Sequence, residues 1–210
     1  MKEYHTIQEE SIAEYEIQRS RFIAHAKHVE SEEDARAYLL QQKKAYFDAR
    51  HNCSAWVLGA EGDKQKSNDD GEPGGTAGNP ILESIKKRAL TDVIIVVTRY
   101  FGGIKLGASG LIRAYGHTAG LGLDAAEIIA MQPRLRVKVT CDYTMFHSID
   151  HFLRQREITT EDISYTDAVA ITLLLPPAEA ENILSEITEL TAARCKYKRQ
   201  EEILLPVPVK

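Results

Sequence analysis

The sequence lacks the long apolar stretches and the basic leader that mark membrane and secreted proteins. Its longest uninterrupted apolar run, Val93–Val97, has five residues, whereas a membrane-spanning helix needs about 20. The first residues, MKEYHTIQEES, are acidic and do not show the basic-then-apolar order of a secretory signal. We therefore expect a cytoplasmic protein that has no membrane among its partners.

Cysteine is scarce as well. The chain has three cysteines, Cys53, Cys141 and Cys195, which are far apart in the sequence and form no CxxC pair. An odd number at such spacing argues against a disulfide framework and against a cysteine-ligated zinc site. This usage is typical of a reducing compartment, which agrees with a cytoplasmic location.

Positive charge is in deficit across the whole chain. The 26 Lys and Arg residues are outnumbered by 31 Asp and Glu residues, which gives a net charge of −5 at pH 7. Proteins that coat nucleic acid non-specifically carry a basic excess, so this composition argues against that class. A local basic surface stays open, because composition does not reveal patches.

Glycine is absent from the last part of the chain. All 13 glycines lie between Gly59 and Gly122, and glycine permits backbone conformations and close approaches that other residues resist. The central segment therefore has the most demanding backbone geometry, whereas the later part is built from conventional helices and strands. This contrast predicts two domains, residues 1–133 and 134–210, joined near Pro133.

Hydrophobic periodicity and capping signals predict the elements of the first domain. The strand predicted over 92–98 is apolar on both faces, so we expect layers on both sides of it. The full prediction is one or two strands within 15–29, a helix from a Ser31 cap to about Ala45 with Asp34 at its third position, a strand over 53–58, a loop over 59–78, a helix opened by Asn79 and Pro80, the strand over 92–98, and a helix from a Ser109 cap to about Ile128.

The second domain shows strands and helices in the order βαββαβ. Strands are predicted over 135–141, 158–165, 168–175 and 197–207, and helices from a Thr144 cap through Leu153 and over 177–193. This order is that of a ferredoxin-like sandwich. The predicted fold class is therefore α+β.

Two Gly-rich segments carry the signature of a known family. The first, over 68–80, reads NDDGEPGGTAGNP, and the second, over 97–115, reads VTRYFGGIKLGASGLIRAY. Together with the shorter upstream motifs SRFIA and HNCSA, they closely resemble the IMPACT family. The four motifs cover about residues 15–120, and the C-terminal domain resembles that of the bacterial YigZ/YvyE branch.

The resemblance implies a fold for each domain and a general role. It implies an N-terminal two-layer α/β domain similar to a ribosomal-protein domain and to a domain of elongation factor G. The C-terminal domain is expected to resemble the last, ferredoxin-like domain of that factor. Eukaryotic members of the family act on a translational stress-kinase pathway through protein partners. The resemblance thus implies a non-catalytic regulatory or accessory factor of translation, with a protein or RNA/ribosomal partner.

The carboxylates of the first segment allow two interpretations. Clustered carboxylates are hard ligands that suit a divalent cation, and in the alternative interpretation they set the geometry of a tight turn. We favour the turn and expect no resident metal ion or cofactor, and the same negative charges oppose a bound phosphate. The candidate residues of this acidic Gly-rich loop are Asp69, Asp70, Glu72, Gly74, Gly75 and Thr76.

The second segment is the better candidate for binding an anionic partner. Backbone amides, a helix dipole and three cations are expected to converge there. In the structural alternative, the glycines only permit a tight turn while Arg99 pairs with Asp69 or Asp70. The candidate residues are Arg99, Gly102, Gly103, Lys105, Gly107, Arg113 and His117.

The nature of the partner stays open between RNA and protein. Tyr100, Phe101 and Tyr115 flank the basic residues, and single-stranded RNA stacks its bases on aromatic rings. In the alternative interpretation these aromatic residues belong to the core and contact no RNA. We therefore expect the Gly-rich face of the first domain to bind either class of macromolecule.

An enzyme is the alternative function. It would act on a phosphorylated small molecule or nucleotide, with Asp70 and Glu72 holding magnesium and Lys105 the phosphate. His51 and Cys53 are spaced to share one face of a strand, but no third residue of a nucleophilic triad accompanies them. We therefore favour a protein without catalytic residues.

Overall fold

The computed structural model describes residues 1–209 and divides into two compact units. The N-terminal unit consists of Lys2–Met131 with the described residues from Pro206 onward, and the C-terminal unit of Gln132–Leu205 with Met1. The N-terminal unit contains, in chain order, β1 (Tyr4–Ile7), β2 (Ser11–Ile17), β3 (Ser20–His28), α1 (Glu32–Ala45), β4 (His51–Leu58), β5 (Lys64–Asn68), α2 (Gly78–Lys86), β6 (Val93–Tyr100) and α3 (Gly107–Asp124).

A five-stranded sheet forms the centre of the N-terminal unit. Its strand order is β2-β3-β6-β4-β5, and each neighbouring pair is antiparallel. β6 is the middle strand, and its residues from Val93 to Arg99 are all buried. The central strand therefore has buried side chains on both faces of the sheet.

Helices pack on both faces of this sheet. α2 and α3 cover one face, where the core includes Phe22 and Tyr115. α1 covers the other face, where the core includes Tyr38 and Ile94. The expectation of layers on both sides of β6 is confirmed, and the sheet has one helical layer more than the two-layer domain that the resemblance implies.

The starts of the helices show which capping signals the fold uses. Ser31 caps α1 as predicted, since its Oγ accepts a hydrogen bond from the backbone N–H of Asp34 at 3.1 Å. The other two caps predicted in this unit are wrong. α2 begins before Asn79, whose side-chain oxygen accepts instead from the hydroxyl of Ser67. α3 begins before Ser109, which lies within its first turn.

β5 lies where the sequence predicts a loop. It pairs antiparallel with β4 in the register Ser54↔Asn68 to Leu58↔Lys64. Its sequence, KQKSN, contains no apolar residue, so no hydrophobic alternation marks it as a strand. A polar, lysine-bearing strand of this kind is typical of a protected sheet edge.

β1 pairs with the beginning of the long strand β7 (Ile128–Cys141), in the register Tyr4↔Met131 to Ile7↔Ile128. The remaining elements of the chain are α4 (Tyr143–Gln155), β8 (Thr159–Tyr165), β9 (Val169–Leu175), α5 (Ala180–Leu190) and β10 (Lys196–Pro208).

The C-terminal unit has the predicted ferredoxin-like topology. Its strands are ordered β10-β7-β9-β8, and α4 and α5 contribute Ile149 and Ile187 to one core with the sheet. The βαββαβ prediction is confirmed. The predicted Thr144 cap is wrong, because Asp142 occupies the N-cap position of α4 and accepts a hydrogen bond from the Thr144 hydroxyl.

Across residues 1–209, no helix combines the length and the apolar character that a membrane crossing requires.

Candidate functional site

The first Gly-rich segment, which we call the acidic loop (residues 68–78), is held together by its own carboxylates. Asp69 accepts hydrogen bonds from the backbone N–H groups of Gly75 at 2.8 Å, Ala77 at 3.0 Å and Gly78 at 2.8 Å. The last two are the N-cap and first residue of α2, so Asp69 satisfies N–H groups that a helix leaves unpaired. Burial opposes ionisation, but these hydrogen bonds hold the pKa of Asp69 below its ordinary value.

Asp70 ties the acidic loop to two other elements. Its carboxylate accepts from the Lys43 ammonium of α1 at 2.6 Å and from the backbone N–H of Asn52 in β4 at 2.7 Å. Its φ of +42° lies in the left-handed region, which residues other than glycine rarely adopt. Asp70 therefore serves the local structure with both its side chain and its backbone.

Glu72 is buried together with Arg99. One carboxylate oxygen of Glu72 accepts from the Arg99 guanidinium at 2.6 Å and from the Tyr115 hydroxyl at 2.8 Å. The guanidinium carbon of Arg99 lies 5.5 Å from the ring centre of Phe22 and 5.5 Å from that of Phe101, within the range of cation–π attraction. Because a buried charge requires a partner, Glu72 and Arg99 stabilise each other inside the fold.

The prediction that Arg99 belongs to an exposed binding surface is wrong. Arg99 is only 6% exposed, since strand alternation places it on the same face of β6 as Ile95 and Val97, under α2 and α3. Arg99 does pair with a carboxylate of the acidic loop, as in the alternative interpretation, but the partner differs from the predicted one. Arg99 is neutralised by Glu72, not by Asp69 or Asp70.

The remaining predicted residues of the acidic loop shape its turn. Gly75 has a φ of +76°, a conformation that glycine adopts without steric cost. Thr76 is buried, and its hydroxyl donates to the carbonyl oxygen of Pro73 at 2.7 Å. Gly74 is exposed, and a Cβ built there would meet no atom within 4 Å. Gly74 is thus the one predicted residue of this loop that its surroundings leave unconstrained.

The contacts of the carboxylates argue against the enzyme interpretation. Asp70 is paired with Lys43 and Glu72 with Arg99, so both predicted magnesium ligands are already neutralised by cations. Within the described part of the chain, no three His, Cys, Asp or Glu side chains are grouped as metal ligands.

His51 and Cys53 do not form an activated nucleophile pair. The thiol of Cys53 donates to the carbonyl oxygen of Asp69 at 3.0 Å, and Nδ1 of His51 lies 2.9 Å from the carbonyl oxygen of Asp70. Burial raises the pKa of the Cys53 thiol to about 12. A nucleophilic cysteine needs a lowered pKa, so Cys53 acts as a core residue.

The second Gly-rich segment presents what we call the α3 surface, the exposed side chains of residues 101–117. Its loop is fixed by a close approach, since a Cβ on Gly102 would lie 2.0 Å from the carbonyl carbon of Arg19. The N–H of Gly102 also donates to the hydroxyl of Ser20 at 3.2 Å. Gly103 and Gly107 have φ values of +86° and +72°. The loop therefore has one defined position beside the β2–β3 turn.

Three of the predicted residues have exposed side chains on the α3 surface, namely Lys105, Arg113 and His117. None of them forms an ion pair with another residue of the range 1–209. Of the three cations expected to converge, Arg99 is therefore in the interior, and Lys105 and Arg113 remain at the surface.

Apolar side chains accompany these cations. Phe101, Ile104 and Ile112 are 49%, 43% and 45% exposed. All three belong to the same short segment as Lys105 and Arg113. The α3 surface therefore combines positive charge with exposed apolar area.

Arg113 and His117 lie one turn apart on α3 and line two grooves of about 470 Å³ each. One groove runs between α3 and β2, where it also contacts Tyr15 and Leu106. The other runs between α2 and α3. Lys105 lines neither groove, although it directly precedes Leu106.

Tyr15 and Arg19 also contact this surface, although no sequence motif marks them. The Tyr15 ring lies 4.6 Å, centre to centre, from that of His117, and the exposed Arg19 adjoins Gly102. These contacts join segments far apart in the chain, so no local motif predicts them. The alternation of exposed and less exposed residues in β2 does predict that Tyr15 lies on the same face of the strand as Ile17.

Comparison with known families gives matches in both units. Residues 18–123 match the family described as Impact N-terminal domain, and residues 139–194 match one described as a domain of unknown function, DUF1949. The first match contains the acidic loop and the α3 surface. The second falls within the C-terminal unit.

Individual relatives extend over nearly the whole chain. IMPACT family member YvyE of Bacillus subtilis is 41% identical over 198 residues, which cover 94% of this chain and 91% of that protein. IMPACT family member YigZ of Escherichia coli is 32% identical, with 89% and 93% covered. A solved structure, described as the crystal structure of a hypothetical protein, has a TM-score of 0.63 at 29% identity and covers 96% of this chain and 98% of its own. With both its Gly-rich segments inside the matched domain and relatives of this similarity along its length, the chain belongs to the IMPACT family.

Proposed function

We propose that the protein is a non-catalytic regulatory or accessory factor of translation, which docks a protein or RNA partner on the α3 surface. The observation that supports this most directly is the exposure of Lys105 and Arg113 beside the apolar side chains of Ile104 and Ile112. Exposed apolar residues grouped with cations are typical of interaction surfaces.

The charges of the α3 surface suit association with a partner. An exposed cation contributes little to the stability of the fold, so Lys105 and Arg113 have no evident structural role. Positive charge at such a place accelerates encounter with an anionic partner and adds specificity. Arg99 is not part of this proposal, because its charge is buried against Glu72.

The assignment to translation rests on the family. The relatives that span this chain are named only as IMPACT family members, and the likeness to translation-factor domains that the family implies concerns the fold. Because fold does not determine function by itself, the assignment needs a direct test on ribosomes.

That test is a charge reversal on the α3 surface. The double variant Lys105→Glu/Arg113→Glu should lose most of its co-sedimentation with purified bacterial ribosomes at low salt. The loss follows from turning attraction to an anionic partner into repulsion. Binding of the unchanged protein should weaken as the salt concentration rises, because ions screen exposed charges.

A matched control comes from the opposite edge of the sheet. Lys64 and Lys66 of β5 are exposed, and Lys64→Glu/Lys66→Glu makes the same change of charge away from α3. This control should co-sediment like the unchanged protein. Equal co-sedimentation of both double variants would remove the α3 surface from the proposal.

A further inference from the structure

The groove between β2 and α3 has the form of a peptide site. Its α3 wall runs from Gly110 to His117, which is two turns of helix or about 10 Å. Its volume of about 470 Å³ lies within the range of roughly 300–1,000 Å³ that is usual for binding sites. The groove is therefore long and wide enough to hold a few side chains of a partner segment.

The floor of this groove is apolar. Ile17 of β2 and Leu106 line it and pack against the main core of the N-terminal unit, and Ala114 of α3 lies beside them. Gly110 adds no side chain, so the helix surface is indented at that point. An occupant would gain free energy by burying apolar side chains here, at about 25 cal/mol per Å² of apolar area.

The rim of the groove carries positive charge. Arg113 lines the groove directly, Lys105 directly precedes Leu106 of the floor, and Arg19 follows Gln18 of the rim. The acidic residues of β2, Glu14 and Glu16, alternate with the groove-lining Tyr15 and Ile17, so their side chains leave the other face of the strand. No carboxylate lines the groove to oppose an acidic occupant.

The aliphatic floor of the groove favours a polypeptide over RNA as occupant. Bases of single-stranded RNA stack on the flat faces of aromatic rings. Here the Tyr15 ring packs edge-on against the ring of His117 at an interplanar angle of 75°. The ring of the exposed Phe101 already lies against the Arg99 guanidinium, and the other exposed neighbours, Ile104 and Ile112, are aliphatic. Aliphatic side chains pack well against the apolar side chains of a protein, whereas they offer no flat ring on which a base could stack.

We propose that this groove binds a short acidic, amphipathic segment of a partner protein. This inference rests on the proposed function and names its partner class. The apolar residues of the segment lie on Ile17, Leu106 and Ala114, and a carboxylate of the segment pairs with Arg113, the cation that lines the groove. In recognition of this kind, residues at helical spacing anchor in a groove while charges at the rim fix the register.

Selection from a random peptide library tests the inference. The full-length protein is immobilised, 16-residue displayed peptides are selected on it, and a recovered peptide is synthesised for fluorescence anisotropy. We expect recovered peptides to combine Asp or Glu with large apolar residues. Their affinity for the Arg113→Glu variant should fall at least about tenfold, as is usual when a charged anchor of an interface is reversed.

A charge swap and a distant control complete the design. Replacing one Glu of the peptide with Lys should restore binding to Arg113→Glu, while Lys64→Glu on β5 should bind the original peptide unchanged. Recovery of no peptides, of basic peptides, or of peptides that bind Arg113→Glu equally well would overturn the inference. If the ribosome test still shows loss on charge reversal, the docking function survives and RNA becomes the occupant. If both tests show no effect, both proposals are wrong.

Discussion

The two Gly-rich segments of the N-terminal unit are similar in composition and use charge in opposite ways. In the acidic loop, Asp69, Asp70 and Glu72 are all hydrogen-bonded inside the fold. On the α3 surface, Lys105 and Arg113 reach solvent and pair with no carboxylate of residues 1–209. The charged side chains of the acidic loop stabilise the fold, whereas those of the α3 surface are available to a partner.

Burial decides between these two uses. Arg99 and Lys105 are six positions apart, yet the first lies under two helices and the second in an open loop. Inside the fold an ionic group must be paired, because desolvation of a lone charge is costly. At the surface the same group costs little and stabilises little. Substitutions in the two segments should therefore have unequal effects on stability.

The largest effect is expected from Glu72→Gln. It removes the negative partner of the buried Arg99 guanidinium, and an uncompensated buried charge typically costs about 3–5 kcal/mol. Urea denaturation at pH 7 measures the free energy of unfolding. The matched control is Glu83→Gln, whose partner Lys86 is exposed, and which should cost no more than about 1 kcal/mol. Equal losses would show that burial does not distinguish the two pairs.

Gly102→Ala should cause the second-largest loss of stability. This position belongs to the loop before α3, where one glycine is required by a close backbone contact. The added Cβ would lie 2.0 Å from the Arg19 carbonyl carbon, so the loop has to move at a cost of about 1–3 kcal/mol. Gly74→Ala in the acidic loop is the control, since its Cβ meets no atom within 4 Å. A thermal melt in which both variants unfold at one temperature would contradict the close approach.

Asp69→Asn is expected to cost about 1–2 kcal/mol, because a carboxylate accepts hydrogen bonds more strongly than an amide. The folded pKa of Asp69 lies below its ordinary value of 3.8, so its stabilisation is complete above that pH and is lost as the pH falls through the folded pKa. The difference in unfolding free energy between the two proteins should therefore shrink from pH 5 to pH 3. The control is Asp167→Asn, an exposed position at which the same change should alter the unfolding free energy at pH 7 by no more than about 0.5 kcal/mol.

The smallest effect is expected from Arg113→Ala. Its side chain is exposed and unpaired within the described residues, so the unfolding free energy should stay within about 0.5 kcal/mol of the original. Chemical denaturation alongside Glu72→Gln gives the comparison directly. A loss above 1 kcal/mol would assign Arg113 to the structure and not to a partner.

Local signals in the sequence were enough to predict most of the fold. Ser31 with Asp34 marks the start of α1, and the apolar run in β6 predicts a strand covered on both sides. β5 could not be predicted, because only its pairing with β4 makes KQKSN a strand. The Asn79 cap failed because Asp69, outside α2 in the sequence, already accepts from the N–H groups at the start of that helix. The Ser109 cap failed because α3 begins at Gly107 and has no side-chain cap.

The candidate site was predicted only in part. Gly-rich motifs and cations located both segments, but they did not separate the buried Arg99 from the exposed Arg113. Alternation in β6 contained that information, because Arg99 falls on the face of Ile95 and Val97. The position of Arg19 beside Gly102 depends on the pairing of β3 with β6, which are far apart in the chain. Composition and motifs do not predict that pairing.

The missing side chain at Gly102 has a consequence for binding. It lets the Arg19 backbone and the loop before α3 come together, so Arg19 and Lys105 are mounted on one pre-organised platform. A partner that engages both cations then does not have to order a mobile loop, and the entropic cost of association is lower. A glycine that touches no partner can in this way determine how tightly one is held.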